Sequence, residues 1–229
     1  DTLGRLGTID QLAGAFAVAL ASALAIFMMV KSSLIVSTSQ AIVGAIIGWN
    51  FFAGRSTDTV LLGKIASSWV VGMLLGGVFA VILYLIVHEA FKRRHLHLLW
   101  KHTVLKILLL LIGAFGAYSL GANNIVNVMG VFVNAVSLPA LSIGPLTLSS
   151  SQQLFFLGAV AISVGIFTYS QHTMKVVGND LMPLSAETAM VVVLAQSLVL
   201  FIFSSKGLSD AIASLGLGRI PQVPVSSTQ

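Results

Sequence analysis

A run of hydroxylated side chains, Ser37-Thr38-Ser39-Gln40, directly precedes an apolar stretch that contains Gly44 and Gly48. Ser and Thr are preferred N-cap residues, so this run predicts the start of a helix. The first turn of a helix presents free N–H groups and the positive end of the helix dipole. An oxyanion suits such an end because N–H and O–H donors converge on it. The alternative is a plain helix cap, and the two glycines predict close packing against a neighbouring helix.

A similar run ends the chain, where Pro224-Val225-Ser226-Ser227-Thr228-Gln229 aligns with residues 35–40. The apolar residues 194–201 before it align with residues 20–27, and the second copy carries an additional segment at 207–221. A matched apolar span followed by a matched polar cap is the pattern of a secondary transporter built from structural repeats. The repeat therefore favours the interpretation of both caps as ligand-binding elements.

Three asparagines lie in the run Gly121-Ala122-Asn123-Asn124-Ile125-Val126-Asn127, inside a stretch, 107–174, that holds no Lys, Arg, Asp or Glu. Glycine and tandem asparagines predict a break in the helix at this point. Asn123 and Asn127 are four residues apart and would share a helix face. Asparagine at membrane depth is costly unless it lines a cavity, where its carbonyl can bind a monovalent cation and its amide can donate to an anion. The alternatives are a polar contact within a helix bundle and an extramembrane loop.

The elements that must position these residues are membrane-spanning helices. Apolar residues make up 57% of the 229 residues and charged residues 8%, whereas a soluble domain carries about 25% charged residues. Windows long enough to cross a bilayer predict an all-α integral membrane bundle, with broken or re-entrant half-helices between inverted repeats. The alternation of an outer-membrane barrel is absent, and no paired catalytic groups, cysteines or metal-ligand spacing point to an enzyme. The predicted spans are 11–30, 65–87, 105–120, 125–140, 152–170 and 188–205, and a further apolar stretch, 34–54, is interrupted by Ser, Thr, Gln and Gly at its start.

A basic segment, 88–106, contains five of the twelve Lys and Arg residues. Basic residues near span ends remain in the cytoplasm, so the segment is predicted to be a cytoplasmic loop that anchors the topology in the cell membrane. An anionic-lipid or regulatory contact is the alternative, and His95 and His97 are spaced poorly for a metal. Because the basic residues concentrate here, no nucleic-acid partner is expected. The predicted organisation is 1–87 as the end of a first transporter repeat, 88–106 as the loop, and 107–229 as a second repeat truncated at its last motif.

The motifs together resemble the inorganic phosphate transporter family, which includes sulfate permeases. The run from Gly121 to Asn127 resembles its G-A-N-D-x-x-N signature, residues 35–40 and 224–229 resemble its P-V-S-T-T-H element, and residues 176–184 resemble its T-V-G-x-x-I-x-x-L segment. The family pairs one of each of the first two elements in each inverted repeat, and the first G-A-N-D element is absent here. The sequence is therefore expected to be part of a longer transporter and not to transport on its own.

The resemblance implies cation-coupled symport of phosphate or a related oxyanion, with Na⁺ or H⁺ as the coupling ion and no other cofactor. Three departures matter: Asn124 stands at the signature aspartate, Gln40 and Gln229 stand at the histidines, and Ile35 replaces the first proline. An amide can donate where a carboxylate only accepts, which suits an unprotonated anion such as sulfate. The expected partners are phosphate or sulfate, the coupling ion and the lipid bilayer, and a homo-oligomer is compatible with the sequence. The implied anion-binding residues are Ser37, Thr38, Ser39, Asn123, Asn124, Ser226, Ser227 and Thr228, and the implied cation-binding residues are Asn123, Asn124 and Asn127.

Overall fold

The computed structural model describes residues 2–7, 9–32, 34, 36–93, 98–144, 146–175, 185–216 and 218–226. Eight α-helices account for most of this part of the chain, together with one 3-10 turn (Gly130–Phe132) and a two-stranded hairpin. The prediction of an all-α membrane protein is confirmed. The helices are α1 (Thr2–Gly7), α2 (Leu12–Lys31), α3 (Thr38–Phe52), α4 (Thr59–Arg93), α5 (Leu98–Met129), α6 (Ser150–Lys175), α7 (Ala186–Ser204) and α8 (Lys206–Ser214), and the strands are β1 (Leu141–Ile143) and β2 (Leu146–Leu148).

Five helices, α2, α4, α5, α6 and α7, are long and apolar enough to cross a membrane. Large apolar side chains on their outer faces are exposed, such as Phe167 at 87%, which is the surface expected to contact lipid acyl chains. The helix α3 has 15 residues and is about 22 Å long, shorter than a hydrocarbon core of about 30 Å. It therefore has the length of the half-helix predicted to follow the first polar cap.

The predicted break at the asparagine motif is wrong. The helix α5 continues through Asn123 and Asn127 to Met129, and the chain leaves helical geometry only at the 3-10 turn. Asparagine lowers helix propensity by well under 1 kcal/mol and does not stop a helix as proline does. The amides of Asn123 and Asn127 donate to tertiary partners, so the helix accommodates the motif without a break. The predicted span 125–140 is accordingly not a helix, since only its first residues belong to α5.

Two further boundaries differ from the predictions. Most of the segment predicted as a basic loop, 88–106, is helical instead, because α4 extends to Arg93 and α5 begins at Leu98. The hairpin was not predicted, although its residues alternate in polarity on both sides of a Gly-Pro pair, which is a hairpin signal. Ser142 lies opposite Thr147 in the antiparallel pair, and Gly144 takes a positive φ of 61° at the turn, as the tight hairpin turns require.

Helix packing relies on glycines other than the predicted pair. A Cβ atom added at Gly44 or Gly48 would meet no atom within 4 Å, so the predicted close packing of this face is not found within the described part of the chain. Gly116 of α5 instead lies against Ser197 and Val193 of α7. These two helices form the most extensive helix–helix contact among the described elements. They hold the asparagine motif of α5 beside the segment that follows α8.

A surface ion pair links the two ends of the α2–α3 unit. The Arg55 guanidinium lies 2.6 Å from Asp10 Oδ1, and this hydrogen bond holds the pKa of the Asp10 carboxyl below its usual range. The segment before α2 and the segment after α3 therefore lie on the same side of the bundle. The chain thus turns back between α2 and α3.

Candidate functional site

The start of α3 is a buried, capped helix N-terminus. Ser37 is the N-cap, and its hydroxyl accepts a hydrogen bond from the Gln40 backbone N–H at 3.3 Å. Ser37 and Ser39 are 4% and 0% exposed, and Thr38 is half-buried. The capping predicted from the Ser-Thr-Ser run is therefore present, and the positive end of the α3 dipole points into the interior of the bundle.

The asparagine motif and the last polar run meet at Val225. The Asn123 amide forms two hydrogen bonds with the backbone of Val225. Asn123 Nδ2 donates to Val225 O at 3.0 Å, and the Val225 N–H donates to Asn123 Oδ1 at 3.1 Å. The Ser39 hydroxyl donates to the same carbonyl at 2.9 Å. Both Asn123 and Val225 are buried. The backbone of one residue, Val225, thus joins α3, α5 and the segment 222–226.

A second set of hydrogen bonds joins α3 directly to α5. The Asn127 amide Nδ2 lies 2.8 Å from Ser39 Oγ and 3.4 Å from Thr38 Oγ1, and it donates to both hydroxyls. The Thr38 hydroxyl donates to Asn124 Oδ1 at 3.3 Å. The shared helix face predicted for Asn123 and Asn127 is confirmed, because both side chains reach the start of α3 or the segment bonded to it.

One acceptor in this network has no partner. Asn127 Oδ1 is buried and accepts no hydrogen bond from the part of the chain that the structure describes. A buried polar atom left in this way costs about 1–3 kcal/mol. Thr38 and Asn127 line a cavity of about 280 Å³ together with Ser22 of α2 and apolar residues.

Two further cavities adjoin the same elements. One of about 130 Å³ is lined by Asn123, Ser204 and Gln222, among others. Another of about 240 Å³ lies between α4 and α7, with Ser226 and Gln196 on its wall. Within the part of the chain that the structure describes, no Lys or Arg lines these three cavities. Among the described residues no group of three or more His, Asp or Glu side chains could hold a metal ion.

Trp69 is a site residue that the sequence reasoning missed. Its indole N–H donates to Pro224 O at 3.2 Å, so α4 also holds the segment 222–226. The signal was present, because a tryptophan inside an apolar span carries an N–H that needs an acceptor. The structure therefore positions this non-helical segment by side chains from α3, α4 and α5.

The predicted residues divide into three groups. Thr38, Ser39, Asn123, Asn124 and Asn127 form one hydrogen-bonded cluster with Val225, hereafter the polar cluster. Ser37 caps α3 beside it, and Ser226 is buried on the far side of Val225, at the cavity between α4 and α7. The remaining predictions fall outside the described residues, namely those on Ser227, Thr228, Gln229, Ile35, His95, His97 and the segment 176–184.

Comparisons with known proteins point in one direction. The model of the phosphate transporter family matches residues 5–105 and 100–229. A protein of Methanocaldococcus jannaschii whose name is "Putative phosphate permease" is 25% identical over 202 residues. That match covers 87% of this chain and 59% of the archaeal protein, so the chain spans less than two thirds of this relative. No solved structure matches the chain.

Proposed function

Because the chain belongs to the phosphate transporter family, we propose that it forms part of a secondary active transporter that moves inorganic phosphate across the membrane with a coupling cation. The observation that carries the proposal is the polar cluster around Val225, where the buried start of a half-helix meets three asparagines and a non-helical segment. Such junctions are where secondary transporters bind substrate and ion. The protein would act as a carrier and not as an enzyme.

The anion would bind at the start of α3. The donors there would be the first-turn N–H groups, the hydroxyls of Ser37, Thr38 and Ser39, and the amides of Asn123 and Asn124. To reach an anion, the hydroxyls of Thr38 and Ser39 would turn away from Asn124 Oδ1 and Val225 O, to which they donate in this structure. Ser226, Ser227 and Thr228 would contribute the matching cap from the second repeat. None of the described residues that line the cavities at this site is basic, so dipoles and neutral donors would hold the anion. Neutral donors hold an anion less tightly than a charged pair, and a carrier must release its substrate.

The coupling cation, Na⁺ or H⁺, would bind on the α5 side of the polar cluster. Asn127 Oδ1 is buried without a partner in the described part of the chain, and Asn127 lines the 280 Å³ cavity. Amide oxygens and hydroxyls suit Na⁺, which is a hard cation. Asn123 and Asn124 would complete the ligands, and the cation would partly neutralise the neighbouring anion.

A second candidate substrate is sulfate, and the observation that favours it is the asparagine at position 124. Its Oδ1 already accepts from Thr38, so the group that it can offer to an anion is the amide N–H. A donor suits sulfate, whereas hydrogen phosphate carries a proton that needs an acceptor. An acceptor restored at position 124 should therefore favour the uptake of phosphate and disfavour the uptake of sulfate.

The test is uptake of labelled phosphate and labelled sulfate by proteoliposomes that contain the protein at full length, measured at several Na⁺ concentrations and pH values. Asn124→Asp should shift the preference toward phosphate or increase the dependence on Na⁺, because it adds a charge and an acceptor. Asn134→Asp, an exposed change outside the polar cluster, is the control. Uptake of neither anion by the wild type would contradict the proposal, and flux without accumulation against a gradient would indicate a channel.

A further inference from the structure

A groove of about 510 Å³ lies at the end of the bundle where α4 begins and α7 ends. Lys64 and Ser68 of α4 line it on one side, and Arg219 and Pro221 from the segment after α8 line it on the other. This segment belongs to the insertion at 207–221 that the first copy of the repeat lacks. The groove is separate from the polar cluster, with which it shares no lining residue.

Two cationic side chains face this groove without an acidic partner. Neither Lys64 nor Arg219 forms an ion pair with any described residue, and both side chains are exposed. The hydroxyls of Ser67 and Ser68 donate to carbonyls of their own helix at 3.0 Å and 2.7 Å. They therefore make the groove polar without neutralising its charge, and the groove is complementary to an anion.

The rest of the groove is apolar. Val71 and Leu75 of α4, Ile202 and Phe203 of α7, and Ile220 form its walls. Lys64 lies near the start of α4 and Phe203 near the end of α7, so the charged part of the groove lies near the ends of two membrane spans. The apolar part continues along α4 toward its middle. A cationic end with an apolar wall beneath it matches a ligand that has an anionic head and a hydrocarbon tail.

We propose that this groove binds an anionic phospholipid, with its headgroup phosphate between Lys64 and Arg219 and an acyl chain along Val71 and Leu75. A zwitterionic lipid binds less well, since its ammonium group would lie near the same two cations. Inorganic phosphate shares the headgroup chemistry but has no tail to cover the apolar wall. The proposal does not depend on the transport activity, because lipid binding is measured without it.

The test is native mass spectrometry of the full-length protein in detergent, with added phosphatidylglycerol or phosphatidylcholine. The double variant Lys64→Gln/Arg219→Gln should bind phosphatidylglycerol about 25-fold more weakly than the wild type, since each of the two basic residues near an anionic lipid contributes roughly fivefold in affinity. Phosphatidylcholine binding should hardly change. Arg5→Gln/Lys31→Gln removes the same two residue types at exposed positions away from the groove, and it should behave as the wild type.

Several outcomes would overturn the proposal. Equal retention of phosphatidylglycerol by the wild type and the groove variant is one, and an equal loss in the control variant is another. If the groove variant instead loses binding of inorganic phosphate while keeping the lipid, the groove serves the free anion. A melting curve in detergent checks that each variant is folded. Lys64→Arg/Arg219→Lys retains both charges and should still bind phosphatidylglycerol. If the first variant does not fold, loss of phosphatidylglycerol binding in this second variant would contradict the proposal.

Discussion

The side-chain amide of Asn123 forms the two backbone hydrogen bonds that a neighbouring β-strand would otherwise form with Val225. This amide presents an N–H donor and a C=O acceptor side by side, and it satisfies both the N–H and the C=O of Val225 in the bundle interior. A membrane offers no water to replace either bond. The side chain thereby allows a segment without regular secondary structure to lie buried between helices.

Asn123→Ala should destabilise the protein. The change leaves the buried Val225 N–H without a partner and removes one of the two donors to its carbonyl, at a cost of about 1–3 kcal/mol for each unsatisfied group. We expect a lower thermal unfolding midpoint in detergent. Asn134→Ala, at an exposed position after α5, serves as the control and should leave the midpoint unchanged. An equal midpoint for Asn123→Ala and the wild type would show that Val225 does not depend on this amide.

Thr38→Val should impair transport more than stability. Valine keeps the shape of the side chain but removes the hydroxyl that donates to Asn124 and accepts from Asn127. We expect the half-saturation constant for phosphate uptake to rise about tenfold, which corresponds to roughly 1.4 kcal/mol of lost binding, or uptake to be lost. Thr168→Val is the matched control, since the Thr168 hydroxyl is exposed and donates only to carbonyls of its own helix. Wild-type kinetics for Thr38→Val would rule out the hydroxyl as a ligand.

Among the helices, composition predicts the spans well and their polar details poorly. The spans predicted at 11–30 and 188–205 agree within two residues with α2 and α7. An uninterrupted apolar stretch can be recognised from its own residues, without knowledge of the segments that pack against it. The course of α5 through Asn123 could not be predicted, since it depends on Val225, which is distant in the sequence. The same holds for Gly44 and Gly48, whose spacing indicated a packed face that the described helices leave open.

The contact between α5 and α7 provides a test of helix packing with a control in the same helix. A Cβ atom at Gly116 would lie 2.9 Å from Ser197 Oγ and 3.2 Å from Val193 Cγ1, so Gly116→Ala should destabilise the protein by about 1–3 kcal/mol through overpacking. A Cβ atom at Gly113 would meet nothing within 4 Å. Gly113→Ala should therefore be neutral or stabilising by about 0.5–1 kcal/mol, as alanine is the better helix former. Thermal unfolding of both variants measures the difference, and equal midpoints would contradict this packing.

For the whole molecule, the spans and the polar motifs could be predicted, but the way in which they meet could not. Family resemblance placed Ser39 and Asn123 in one site, and the structure brings them to the same carbonyl. Neither motif indicates that Val225, an apolar residue, joins them through its backbone. A backbone group has no sequence signature, so only the folded chain reveals it.

The topology of the molecule follows from its longest helix. The helix α4 has 35 residues and is about 52 Å long, more than the thickness of a bilayer core. We therefore expect α4 to cross the membrane, which places the segment before it, with the exposed Ser56, on the opposite side from Lys101 in the first turn of α5. The basic residues at 92–106 predict that the Lys101 side is cytoplasmic.

The chain has no cysteine, so a single introduced thiol gives an unambiguous label site. With an impermeant maleimide added to intact cells, Ser56→Cys should be labelled and Lys101→Cys should not. After the cells are opened, both should react, which shows that the second thiol is accessible. Labelling of Lys101→Cys alone in intact cells would reverse the orientation while preserving the fold. Labelling of both from outside would mean that α4 does not cross the membrane, and the bundle itself would then be wrong.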